Sequence, residues 1–141
     1  MLLASFFKQF PQLTATELRH LHCQQHPKLP DGTYFFNEFY CPDLQCDCRK
    51  VSIIVMTPDS NIFATITYGW ASPKHYYRWG LDKQSIKWLT KGCLDTLGTQ
   101  SIYAKEFLNL FLAMLKKDPA YAKRLQNHYA MYKKSLLTSY H

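Results

Sequence analysis

Two β-prone runs, residues 51–56 (VSIIVM) and 62–68 (IFATITY), flank a five-residue stretch of turn formers, Thr57, Pro58, Asp59, Ser60 and Asn61. A parallel pair needs a crossover of a dozen or more residues, so a connection this short joins antiparallel neighbours. A third run, residues 33–40 (TYFFNEFY), is rich in the aromatic side chains that suit a pleated, half-buried surface. Residues 33–70 therefore predict a small antiparallel sheet of three or more strands.

The flanks read as helices. Pro11 ends any helix begun in the apolar N-terminal segment. Thr14 and Glu17 have capping-box spacing, and Leu18 and Leu21 follow at helical spacing, which predicts a helix over residues 14–25. Pro27, Pro30, Asp31 and Gly32 close it in a turn. Beyond the sheet, Ser72-Pro73 and Asp82 open two short helices, the first ending at Gly80, and residues 94–98 form a loop. Ser101 opens a long helix to about Lys117, with Phe107, Leu108, Phe111, Leu112 and Leu115 on one side. Asp118-Pro119 starts the last helix, to about Leu137, and the short break makes the final two an antiparallel pair on one sheet face. The expected fold class is α+β, a sheet packed against N-terminal and C-terminal helices in one domain spanning residues 1–141.

No stretch reaches the 18 or so apolar residues of a membrane span, and the N-terminus lacks the basic region and cleavage site of a secretory signal. Both features predict a cytoplasmic protein that engages no membrane. Five cysteines is an odd number, and in a reducing compartment clustered thiols point to metal or redox chemistry before structural disulfides.

Three of the five, Cys41, Cys46 and Cys48, fall within eight residues. Thiolates on so short a loop converge on one zinc ion without long-range closure entropy, each about 2.3 Å from the metal. Arg49 and Lys50 add positive charge beside them, which favours thiolates. A closed structural site needs a fourth ligand, and Cys23, His22, His26, His128 or a water are the candidates. His128 shares an inward stripe with Tyr121, Leu125, Tyr132 and Leu136, so a hydrogen-bonded core histidine is its preferred reading. Cys93 reads as a small buried hydrophobe. The competing readings of the trio are incidental thiols and a reversible disulfide, the latter strained between Cys46 and Cys48.

The function expected is a non-enzymatic interaction or binding domain stabilised by zinc and serving a protein partner. One alternative follows the charge. The formal net charge is +7, and most of the excess lies beyond residue 60. A nucleic-acid-binding module would use Lys123, Arg124, Lys133 and Lys134 with the aromatic segment from Trp70 to Trp79. Against it, those rings also suit packing between sheet and helices. A metal- or thiol-dependent enzyme at the cysteines is the other alternative. No phosphate loop, nucleophile elbow or H-E-x-x-H supports it, and Glu38 reads as an exposed strand residue.

Overall fold

The computed structural model describes residues 2–139. Its strands are β1 (Ala4–Ser5), β2 (His20–Cys23), β3 (Gly32–Tyr40), β4 (Lys50–Met56), β5 (Ile62–Gly69) and β6 (Cys93–Leu94). They form one antiparallel sheet in the order β1-β3-β4-β5-β6, and β2 shares the β3 edge with β1. The α+β reading holds, and the β4–β5 hairpin turns through residues 57–61 as expected. A bulge between Val55 and Met56 lets Val55 face Ala64 while Met56 faces Ile62.

Strand alternation sorts the sheet into two unlike faces. Tyr34, Phe36, Glu38 and Tyr40 of β3 are buried on the same side as Val51, Ile53 and Val55 of β4 and Ala64 and Ile66 of β5. Two helices cover this side, α5 (Ala104–Lys117) and α6 (Pro119–Ser139). Phe107 of α5 lies 4.8 Å from the Tyr34 ring, and Phe111 meets Tyr68 and Tyr121 edge-on. The inward stripe of α6 is the expected one: Tyr121, Leu125, His128 and Tyr132 are buried, and Leu136 packs against them half-buried. On the opposite face Phe35, Asn37, Phe39, Ile54 and Met56 are only half-buried.

Two more helices, α3 (Pro73–Arg78) and α4 (Lys83–Lys91), follow β5 and start where their caps predict. Ser72 accepts from His75 N, and Asp82 accepts from Ser85 N at 2.7 Å. They have a small core of their own, built from Ala71, Tyr76, Ile86 and Leu89. The long helix α5 begins at Ala104, later than expected. Ser101 is spent as an anchor, donating to Phe63 O and accepting from Tyr103 N.

The N-terminal region departs most from expectation. Helix α1 (Phe6–Gln9) stops before Pro11, as the proline requires, but the helix predicted over 14–25 does not form. Only one turn, α2 (Thr14–Glu17), is helical, and Leu18 is already extended at φ −74°, ψ 114°. Residues 20–23 instead pair with β3, and Phe36 N donates to Arg19 O at 2.8 Å. Two leucines give little apolar face to a free-standing helix, whereas the β3 edge offers a row of unpaired backbone groups. The capping box is absent as well: Leu13 is the N-cap, Thr14 already lies inside the turn, and the half-buried Glu17 reaches His128 instead. No helix among the described residues is long and apolar enough to cross a membrane.

Candidate metal centre

The three cysteines sit on the connection between β3 and β4, and both ends of that connection are fixed. At its start, Tyr40 is fully buried, and its one hydroxyl proton is shared between Glu38 Oε1 at 2.7 Å and Leu125 O at 3.1 Å. Asp43 then turns the chain: its carboxylate accepts from Gln45 N and its carbonyl from Cys46 N. Lys133 of α6 donates to the carbonyls of Cys41 (2.9 Å) and Asp43 (2.7 Å), which staples this half of the loop to the helix.

The far half is fixed from α3. His75 Nε2 donates to Asp47 O at 2.7 Å, and Tyr76 Oη donates to Arg49 O at 2.8 Å. Arg49, at φ 48°, reverses the chain into β4. Its guanidinium forks onto the Asp47 carboxylate at 3.1 and 2.8 Å. That pairing corrects the expectation that Arg49 supports the thiolates, because its charge is balanced by Asp47.

The loop brings the sulfurs of Cys41, Cys46 and Cys48 to within 4.8 Å of one another. Cys41 and Cys48 are buried and Cys46 is half-exposed. Burial, then the neighbouring Cys48 and Cys41, pushes the Cys46 thiol up to about 12. The Cys46 thiol therefore stays protonated until a cation offsets the charge of its thiolate. A tetrahedral ion about 2.3 Å from each sulfur sets them about 3.8 Å apart, so a contraction of at most about 1 Å would close the trio on a metal. A groove of about 440 Å³ opens beside Cys46, lined also by Leu44, Asp47, Tyr129, Lys133 and Lys134.

The protein side chains expected as a fourth ligand lie elsewhere. Cys23 is paired with Gly32, at the opposite end of the nine-residue strand from Tyr40, about 27 Å away at ~3.4 Å per residue. His22 is bonded to Thr33 Oγ1, and His26 Nδ1 accepts from Lys28 N and Leu29 N. Among the described residues the metal-capable group consists of the three cysteines alone. Cys93 is half-buried on β6, less enclosed than expected.

The chain matches no family model, no curated protein and no solved structure.

A second cluster, largely unforeseen in the sequence, lies in the core. His128 is buried, as its stripe implies, and both ring nitrogens are engaged: Nδ1 with Glu38 Oε1 and Nε2 with Glu17 Oε1, each at 2.7 Å. Phe6 stacks on the imidazole with ring centroids 3.9 Å apart. Glu38, expected to be exposed, is fully buried. The reason is parity, since Glu38 shares the alternation of Tyr34, Phe36 and Tyr40 and must face the helices. Burial alone would depress the His128 pKa, but the hydrogen bond and charge of Glu38, followed by those of Glu17, hold it above the ordinary value. Nearby, Arg19 pairs with Asp118 at 2.5 Å and lies over the Tyr121 ring at 4.2 Å. The cluster ties α2, β3 and α6 together.

The basic and aromatic residues divide the same way. Arg124 donates to Glu17 O and Lys133 staples the cysteine loop, so both serve the fold. Trp70 packs edge-on against Tyr129 and Tyr76 is buried, whereas Tyr77 and Trp79 are exposed.

Proposed function

We propose that Cys41, Cys46 and Cys48 bind one zinc ion, and that this ion pins the β3–β4 loop of a non-enzymatic binding domain. The single observation behind this reading is the convergence of three sulfurs on one short loop held from α6 on one side and α3 on the other. Soft thiolate donors select zinc over oxygen-seeking ions, and the chemistry fits a reducing, cytoplasmic setting. Water, or a group brought by a partner, completes the coordination sphere from the groove beside Cys46. The ion binds only the folded loop, so it stabilises the fold. With the loop set, the α3 residues bonded to it, His75 and Tyr76, are held too.

The test is elemental analysis of protein purified without chelator. One zinc per chain is expected, with none retained by Cys46→Ser and a lower melting temperature for that variant. A wild-type protein free of metal after zinc dialysis removes the proposal.

A further inference from the structure

The helix pair α3–α4 carries a surface that the fold does not use. Lys74, Arg78, Lys83, Lys87 and Lys91 are all exposed, and none of their side chains enters a hydrogen bond or ion pair among the described residues. One acid lies between residues 73 and 91, Asp82, and its carboxylate is engaged in capping α4. Three large rings stand in this basic field: Tyr77 is 57%, Trp79 44% and Trp88 56% exposed. On α4, Ile86 and Leu89 face the small core, so the 100° helical step turns Trp88 outward, one turn from Gln84 and Lys91.

Exposed aromatic rings are expensive in solvated apolar area, and two tryptophans and a tyrosine beside unpaired cations call for a ligand with flat apolar faces and negative charge. Protein–protein interfaces are depleted in lysine, and four of these five cations are lysines. Duplex DNA hides its base faces in the stack, whereas an unpaired strand offers them to aromatic side chains. We propose that the α3–α4 surface binds single-stranded nucleic acid, with Trp88, Trp79 and Tyr77 as stacking platforms and the five cations on phosphates. This interface does not draw on Arg124 and Lys133 of α6, which are committed to the fold. The inference supplies a partner for the binding domain proposed above but does not require the metal, since the helix pair has its own core.

The experiment is fluorescence anisotropy with labelled 12-nucleotide oligo(U) RNA and oligo(dT), titrated with the full chain across a salt series. With single-strand counterion release of about 0.7 per phosphate, five contacts give a log–log slope of about −3.5, roughly a hundredfold weakening from 50 to 200 mM salt. Trp88→Ala weakens binding about 5- to 150-fold, the loss of one stacked base at 1.4 kcal/mol per tenfold. The pair Lys87→Ala and Lys91→Ala flattens the slope by about 1.4. Circular dichroism confirms that these surface variants stay folded. Tighter binding of RNA or of DNA supports the proposal either way and names the sugar. Trp88→Ala, whose side chain lies outside the cysteine loop, keeps one zinc per chain by elemental analysis, so loss of nucleic acid and loss of metal are read separately. No saturable binding at 50 mM salt overturns the proposal. So does an unchanged affinity in Trp88→Ala, equal affinity for a duplex of the same length, or a preference for phosphatidylserine vesicles over both oligonucleotides.

Discussion

Replacing Glu38 by leucine removes the carboxylate that receives both His128 and Tyr40, each at 2.7 Å. Glu38 and His128 are both essentially inaccessible to solvent, so water cannot take over the lost interactions. Removing one partner of such a buried pair costs about 3–5 kcal/mol, because the other is left uncompensated. His128 keeps Glu17 and can shed its proton, and Tyr40 keeps Leu125 O, which puts the expected loss near the lower end, about 3 kcal/mol. The double variant Glu38→Leu, His128→Phe replaces both polar groups by apolar ones and should recover most of that loss, giving a large coupling energy. The same pair carries a pH signature. The imidazole pKa is raised in the folded state, so its stabilisation is fully present below the unfolded value of about 6.5. That stabilisation fades as the pH rises through the higher folded value. Urea unfolding followed by circular dichroism, at saturating zinc and at about pH 6 and about pH 9, reads both effects. Wild type should lose stability relative to the double variant on going to the higher pH. A cost under about 1 kcal/mol for Glu38→Leu, or a double variant no more stable than the single one, refutes the reasoning.

Lys133→Met removes the staple from the carbonyls of Cys41 and Asp43, and a competition titration should show about tenfold weaker zinc binding. Gly69→Ala places a Cβ against the Tyr76 hydroxyl and 2.9 Å from Leu89 Cγ, so chemical denaturation should show a loss of about 1–3 kcal/mol. Phe107→Ala empties a fully buried site between Tyr34, Phe36 and Phe63 and should cost about 3–5 kcal/mol by the same measurement.

Local signals made β3, β4 and β5 legible, because alternation and turn residues agree with the pairing that tertiary structure imposes. Ser72, Asp82 and Pro119 likewise marked helix starts whose chemistry is complete within one turn. Residues 18–23 misled because a free backbone edge on β3 outweighed a weak helical pattern, a competition not visible in either segment alone. Strands β1 and β6, two residues each, exist through pairing and carry no compositional mark. The convergence of Cys41, Cys46 and Cys48 was legible from spacing, but the proposed protein ligands for a fourth position were not excluded until strand register set Cys23 at the far end of β3. Glu38 was within reach of sequence reasoning, since its parity matches the aromatic face of its strand. Taking a charged side chain as exposed overlooked that a histidine on the inward stripe of α6 would need a carboxylate partner.

Zinc K-edge absorption spectroscopy on the native protein addresses the metal centre most directly. The expected spectrum has three sulfur scatterers at about 2.3 Å and one lighter atom at about 2.0–2.1 Å. A metal surrounded by nitrogen and oxygen alone, or by fewer than three sulfurs, contradicts the assignment of Cys41, Cys46 and Cys48 as its ligands.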